Sequence, residues 1–465
     1  MRLTIHTRSK IIDLAKSNTK VYNKDQLESL VNSVALSLTK LNLSAGSQIA
    51  LIGHMSVPFL VTVMGIFNTS HCAVPVNYKL PKAQVDIGLS DPKIAFVFYD
   101  AEFGHLVPAG MPGVCFDQFD DFLTPGELEI VDLDPNRDCL LMQTSGSTGT
   151  PKKIIISYKD YCDVINICRY DHSTGIRHTG AGLTFHQSGL TQTLIQIFCG
   201  SELFVRPKFD ARQLLNDIAK YKIQQVAVVT SMMIMMLKHQ DLLVTLNFSQ
   251  VRIIKLLSSY CNVNTLKTIQ QYFPNARIQN NYGLTESGAP VFWFHPNGVP
   301  TPLGSVGYPK PQFDIKLVDN VLHIKTSTLQ SNYRDKIKDE YFNTNDMFTV
   351  DEQGFYYYIG RADDMFKNGG EKVYPVEIES VLSQHPDILD VAVIGLPDDI
   401  KGHKPYAFII PNGEVIESEL IQYAAENLAP YQIPKRVWTI NEFPLNTIGK
   451  IDRKQLQILA ESKNV

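Results

Sequence analysis

The stretch Gln143-Thr144-Ser145-Gly146-Ser147-Thr148-Gly149-Thr150-Pro151-Lys152-Lys153 gathers glycines, short hydroxyl side chains and two lysines. Glycines let a backbone approach an anion and turn its N–H groups inward, while serine and threonine add short donors. Lys152 and Lys153 add positive charge, so the chemistry this composition suits is the holding of polyphosphate. A plain surface connection has the same composition. The order is not that of a Walker A loop, because Gly149 is followed by Thr150-Pro151-Lys152 rather than Lys-Ser/Thr. Cys139–Met142 before the loop and Ile154–Ile156 after it read as buried strands.

Further along stand Phe185-His186-Gln187-Ser188-Gly189, Asn281-Tyr282-Gly283-Leu284-Thr285-Glu286, Tyr341-Phe342-Asn343-Thr344-Asn345-Asp346, Gly360-Arg361-Ala362-Asp363-Asp364, Gly369-Gly370-Glu371 and Pro444-Leu445-Asn446-Thr447-Ile448-Gly449-Lys450. Singly these have ordinary readings: a satisfied core histidine, a solvated acid on a turn, a hairpin glycine pair, a solvated terminal lysine. Together and in order they resemble the motifs of the adenylate-forming superfamily: acyl- and aryl-CoA synthetases, adenylation domains of nonribosomal peptide synthetases, and beetle luciferases. Residues 144–152 match its signature loop position for position, and Tyr-Gly-x-Thr-Glu is complete at 282–286. The Gly369-Gly370-Glu371 form is closest to acid–CoA ligases.

The resemblance implies that ATP lies among Thr144, Ser145, Gly146, Ser147, Thr148, Gly149, Lys152, Ser259, Tyr260, Asn281, Tyr282, Gly283, Thr285, Asp346 and Arg361. Tyr282 would stack on adenine, Thr285 donate to a phosphate, Asp346 hold both ribose hydroxyls and Glu286 ligate Mg²⁺. Lys450, Lys152 and Glu286 are the implied catalytic groups, since a carboxylate and a phosphate repel and need positioned positive charge. His186, Ser258, Ser259 and Gly283 would line the acyl pocket, Asp363 would be the hinge, and Gly369 and Gly370 would line the pantetheine tunnel. The implied activity is ATP-dependent ligation of a small carboxylic acid to CoA. Loading of an acyl, aryl or amino acid onto a carrier-protein phosphopantetheine is the alternative, and a non-catalytic nucleotide-binding relative comes third. Three positions depart from the family: Thr184 replaces a proline, Asn345 a glycine, and Ser258-Ser259-Tyr260 a Gly-Gly-Ala-like turn. Asparagine tolerates positive φ, so the turn at Asn345 is expected to survive. Hydroxyls at 258–260 favour a compact acid with its own polar groups over a long fatty chain.

The elements that must position these groups read as α/β. Apolar spacing predicts a helix over 24–41 with Asn23 as N-cap, a strand at Gln48–Ile52, a buried helix at 57–68, strands at Cys72–Val76 and Ile94–Tyr99, and helices at Leu80–Leu89 and Tyr158–Arg169. Strands follow at Gln225–Thr230 and Val251–Leu257. This alternation predicts parallel sheet with covering helices. A chain of 465 residues exceeds one core. The expected division is a large N-terminal AMP-binding domain, 1–361, of mixed and parallel sheets, and a small mobile α+β domain, 362–465. A net charge of −4 gives no basic excess for nucleic acid. Seven scattered cysteines read as reduced thiols, and the longest apolar run, Val57–Phe67, is too short to span a bilayer. The expected compartment is cytoplasmic, without membrane insertion; a carrier protein or a second copy of the chain are the partners left open.

Overall fold

The computed structural model describes residues 3–15, 19–129, 132–144, 152–169, 174–180, 183–257, 261–334, 337, 340–445 and 451–463. Two large sheets form its larger domain. The first has six strands in the order Gly113–Cys115, Ile94–Tyr99, Gln48–Ile52, Cys72–Pro75, Asp138–Thr144, Lys152–Ser157. Its neighbours pair in parallel except the last two, which are antiparallel. The second has seven, in the order Arg277–Asn280, Ile253–Leu257, Gln225–Val229, Arg177–Gly180, Glu202–Val205, Lys10–Asp13, Lys20–Tyr22. Here too all pairs are parallel but the last.

The expected elements form for the expected reasons. Helix Lys24–Lys40 begins with a reciprocal cap, in which the Gln26 N–H donates to Asn23 and the Asn23 N–H to Gln26 Oε1, both at 3.0 Å. Its buried face is Leu27, Val31, Val34, Ala35 and Leu38. Helix Val57–Phe67 is buried on nearly every side, as its unbroken apolar composition demands. The two helices approach at Gly65, where a Cβ would lie 2.5 Å from Val34 Cγ1. The main core joins these helices, Tyr158–Arg169 and Gln187–Cys199 to the inner faces of both sheets. A second core covers the outer face of the seven-stranded sheet with helices Ala211–Lys220, Thr230–Leu237 and Val263–Tyr272. Of the Met232–Met236 group, Met233 and Met236 enter that core, while Met235 is half exposed.

A four-stranded antiparallel sheet follows, in the order Asp314–Val318, Val321–Lys325, Phe342–Val350, Tyr356–Arg361. The smaller domain is a five-stranded sheet built from Phe366–Asn368, Glu371–Val373, Ile388–Asp398, Gly402–Pro411 and Val437–Thr439. Helices Pro375–Leu382, Glu417–Asn427 and Arg453–Lys463 pack on it. No helix among the described residues is long and apolar enough to cross a membrane. All seven cysteines are free; burial holds the Cys139 and Cys261 thiols well above their ordinary range, so neither is a ready nucleophile.

The two domains touch where helix Val263–Tyr272 meets strand Ile388–Asp398. Thr265 Oγ1 donates to the Leu389 carbonyl at 3.3 Å, and the Asn262 side chain bonds Asp390. Burial, reinforced by the Glu379 carboxylate, pushes the Asp390 carboxyl up to about 7. The folded protein therefore keeps a proton that the unfolded chain releases at lower pH. Stability from this group is complete below the ordinary carboxyl range and is lost as pH rises toward 7. Asp390→Asn, which cannot ionise, should raise the melting temperature relative to wild type at pH 8 and much less at pH 5. An equal change at both pH values would show that Asp390 is ionised throughout.

Candidate active site

The strands on either side of residues 145–151 form a hairpin stem. Strands Asp138–Thr144 and Lys152–Ser157 pair with Thr144 opposite Lys152 and Gln143 opposite Lys153. Residues 145–151 lie outside the described residues, as does the Lys152 side chain; the stem that presents them is fixed by this register. The two lysines part company here. Lys153 Nζ pairs with Asp91 Oδ2 at 2.5 Å, and that contact holds the Asp91 carboxyl below its usual range. Lys153 thus fastens the stem to the neighbouring loop, a structural task the sequence did not indicate.

Asn281–Glu286 follows strand Arg277–Asn280 of the seven-stranded sheet. The Asn281 N–H donates to the Leu256 carbonyl at 2.9 Å and the Val291 N–H to the Tyr282 carbonyl at 3.1 Å. A Gly283–Pro290 bridge closes the turn, and Ser287 Oγ braces it by accepting from the Leu284 N–H and donating to the Ala289 carbonyl. A Cβ on Gly283 would stand 3.1 Å from Pro290 Cα, so glycine here permits a close chain approach. Glu286 is half buried and faces Tyr333, whose hydroxyl is raised above the usual phenol range by burial and by that carboxylate.

Tyr282 reaches into the four-stranded sheet. Its hydroxyl donates to Asp346 Oδ2 at 2.7 Å, and its ring packs edge-on against Phe348 at 4.8 Å between centroids. Burial first, then the Asp346 carboxylate, holds the Tyr282 hydroxyl well above its ordinary range. Asp346 is buried and lies directly across the strand pair from Arg361, with Arg361 Nη1 at 3.4 Å from Oδ1. The turn before it uses the left-handed conformation at Asn345, φ +61°, so asparagine does replace the family glycine there. Thr344 steadies that turn, its Oγ1 donating to the Leu322 carbonyl and accepting from the Asp346 N–H.

His186 stands at the N-terminal end of helix Gln187–Cys199. The next residue, Gln187, donates from Nε2 to the Gly288 carbonyl at 3.1 Å, which ties this helix to the Tyr282–Glu286 turn. Thr184, in the place of the family proline, donates to the Gly53 carbonyl at 2.7 Å. Asp363 lies in the short turn Ala362–Asp364 between the four-stranded sheet and the small domain, exposed, 3.9 Å from Arg361 Nη2. Gly369 and Gly370 form the tip of a two-residue hairpin between Phe366–Asn368 and Glu371–Val373, with φ of +63° and +94°. Among the described residues no atom lies within 4 Å of a Cβ placed on Gly370. Positive φ, rather than a close neighbour, accounts for both glycines. Ser258, Ser259, Tyr260 and Lys450 lie outside the described residues.

Sequence reading did not single out several groups that the fold brings close to these. They include Gln187, and Lys255, Gln192 and Gln279 on the inner face of the seven-stranded sheet and its covering helix. The available signal was a lysine inside the apolar run Ile253-Ile254-Lys255-Leu256-Leu257.

Asn281 and Asp346 test whether this arrangement suits a nucleotide. Asn281 Oδ1 is buried and has no partner among the described residues, an acceptor waiting for a donor such as an exocyclic amine. Asp346 is a buried carboxylate that Tyr282 and Arg361 engage, and a carboxylate only accepts, the chemistry that vicinal ribose hydroxyls require. Both fit.

Set at the carboxyl ends of parallel strands and followed by a second small domain, this is the architecture of the adenylate-forming superfamily. The chain belongs to the AMP-binding enzyme family: the model of that family matches residues 14–324, and the AMP-binding enzyme C-terminal domain matches residues 377–450. Among its relatives is the 2-succinylbenzoate–CoA ligase of Listeria monocytogenes serotype 4b (strain F2365), 26% identical over 446 residues and matched over 93% of each chain. The enzyme of the same name from Bacillus cytotoxicus is 26% identical over 465 residues, across 94% of this chain and 93% of its own. Among solved structures, the anthranilate CoA ligase AuaEII in complex with anthranoyl-AMP superposes with a TM-score of 0.88 at 24% identity, covering 97% of this chain and 94% of the other. The Bacillus subtilis O-succinylbenzoate coenzyme A synthetase in complex with AMP gives 0.80 at 23%, covering 97% and 96%. At these identities the structures speak for the fold.

Proposed function

We propose that the protein is an ATP-dependent acid–CoA ligase. A substrate carboxylate oxygen attacks the α-phosphorus of ATP, the bond to pyrophosphate breaks, and an acyl-adenylate forms. The CoA thiol then loses its proton, its sulfur bonds the acyl carbon, and AMP leaves. The observation that carries the first half is the buried Asp346 carboxylate, engaged by Tyr282 and Arg361 and able to accept ribose hydroxyls. The second half rests on the end-to-end likeness to 2-succinylbenzoate–CoA ligases. Their named acid is the first substrate we would supply.

In this reading Thr144–Gly149 and Lys152 hold the phosphates, with Thr285 beside them. Glu286 would hold Mg²⁺, which supplies neutralising charge to the phosphates. Ser259, Tyr260, Asn281, Tyr282 and Gly283 border the base, and Arg361 the ribose. His186 and Ser258 border the acid, and Lys450 serves the charge at the reacting carboxylate. The domain boundary falls at 361/362, Asp363 is the pivot, and the Gly369–Gly370 tip meets pantetheine after the small domain turns.

The test is ATP–pyrophosphate exchange with 2-succinylbenzoate, followed by thioester assay with free CoA and with a phosphopantetheinylated carrier protein. We expect exchange, and thioester on free CoA. Exchange with thioester on the carrier alone would replace the CoA assignment by carrier loading.

A further inference from the structure

The two domains meet at a seam without an apolar core of its own. Each hydrophobic cluster among the described residues lies wholly within one domain. Around helix Val263–Tyr272 the contacts are polar instead. Thr265 Oγ1 donates to the Leu389 carbonyl at 3.3 Å, and the Asn262 side chain bonds the Asp390 carboxyl. Lys238 Nζ donates to the Asn441 carbonyl at 3.4 Å. Beside them lies a cavity of about 280 Å³, lined by Asn264, Thr265, Lys267, Thr268, Gln384 and Asn412 among others. A polar, loosely filled seam of this kind leaves two domains free to part.

Asp390 is the acid at this seam. Its Oδ1 accepts from the Val391 N–H at 2.9 Å, and Asn262, the N-cap of helix Val263–Tyr272, reaches it from the large domain. The buried Cys261 thiol is close enough to feel its charge. Lys267, the one charged residue of that helix, lines the cavity. From the small domain Glu379, on helix Pro375–Leu382, and Arg453, on helix Arg453–Lys463, face Asp390 as well. Arg453 is itself engaged by Glu379 and by the Val393 carbonyl. Glu379 and Arg453 travel with Asp390 in any domain movement, so what docking adds is the cover of Cys261 and Asn262. Burial outweighs the favourable bonds, and the carboxyl rises to about 7.

The docking point adjoins the nucleotide turn. Cys261 donates its N–H to Asn280 Oδ1 and accepts at its carbonyl from Asn280 Nδ2, both at 3.3 Å, and Asn281 follows directly. We propose that Asp390 is a proton-controlled latch: protonated, it lets the small domain rest on the Cys261–Asn262 segment, and on losing its proton to solvent it releases the domain. The physical reason is desolvation. A neutral acid is covered at little cost, whereas a carboxylate gives up its hydration for one bond to an amide beside the Glu379 charge. The docked form therefore holds a proton that the released form loses in the ordinary carboxyl range. Docking is strongest below that range, weakens by up to about 10-fold per pH unit as pH rises toward 7, and is level above it.

The experiment measures the distance between the domains by double electron–electron resonance in the ligand-free protein. Nitroxides are attached through Val244→Cys and Ile458→Cys, both exposed positions, with Cys115→Ser because the other six cysteines are buried. In this labelled parent one distance should dominate at pH 5, and a second population should grow by about 10-fold or more relative to it by pH 8. Asp390→Asn keeps the shape, still accepts from Asn262 and cannot ionise, so it should stay docked at both pH values. Circular dichroism reports the folding of each protein. Should Asp390→Asn fail to fold, the profile of the parent decides alone. A parent distribution unchanged from pH 5 to pH 8, or the same change in folded Asp390→Asn, overturns the latch. No turnover is involved, so that result leaves the ligase reading intact.

Discussion

In Lys450→Ala, ATP–pyrophosphate exchange falls by about 10²–10³-fold, the usual cost of deleting one positioned group that meets developing charge. Thioester formation from supplied acyl-adenylate and CoA changes little. The attacking carboxylate and the α-phosphate are both anionic, and a lysine delivered between them relieves repulsion only while they are still separate. Once the adenylate exists, that charge has done its task. The described residues on either side of 446–450 are held together. An antiparallel bridge joins Leu445 to Ile451, and the Asp452 N–H donates to the Pro444 carbonyl at 2.7 Å. The following helix is fastened to the small domain by Arg453, whose Nη1 lies 2.8 Å from Glu379 Oε1. A rotation of the small domain about Asp363 would carry Lys450 away as a unit, which is why the second half-reaction should not miss it. The two half-reactions are measured separately, and an equal loss in both would reject the assignment.

Short-range chemistry was legible in the sequence; long-range placement was not. The helix at Lys24–Lys40 announces itself through Asn23 and the spacing of Leu27, Val31 and Val34, all within a few turns. The same holds for Asn345, whose tolerance of positive φ is a property of the residue alone. By contrast, the order of the seven strands places Lys10–Asp13 beside Glu202–Val205, a pairing set by packing across nearly two hundred residues. Gly65 looks like a weak point in a helix until Val34 is found against it. Lys153 reads in the sequence only as added positive charge; that its ammonium meets Asp91 is a matter of long-range placement. Lys255 gave a signal, a charge within an apolar strand, but its meaning depends on Gln192 and Trp293, which lie 63 positions before it and 38 after it. The nucleotide motifs were readable because each is local; the surroundings of Lys255 were not, because four strands and a helix assemble them.

Asp346 carries the second large effect. A carboxylate that accepts from ribose hydroxyls makes charge-assisted hydrogen bonds, worth roughly 1.5–3 kcal/mol each. An amide in its place keeps the shape, loses the charge, and leaves one acceptor atom where there were two. Asp346→Asn should therefore raise the KM for ATP by about 10–100-fold. The rival account is structural: Asp346 holds the Tyr282 hydroxyl at 2.7 Å and lies beside Arg361, so its loss could loosen the site without touching the nucleotide. The two accounts differ in what they say about ATP lacking its ribose 2′-hydroxyl. If Asp346 binds ribose, wild type discriminates against 2′-deoxy-ATP by about 10-fold or more, and Asp346→Asn, already unable to use that hydroxyl fully, discriminates far less. Tyr282→Phe, which removes the donor but leaves the carboxylate, should keep most of the discrimination. If Asp346 only supports Tyr282, both variants lower the melting temperature and both discriminate between the two nucleotides as wild type does. Exchange kinetics with ATP and 2′-deoxy-ATP on the three proteins separate these outcomes, and parallel behaviour of Asp346→Asn and wild type would end the ribose assignment.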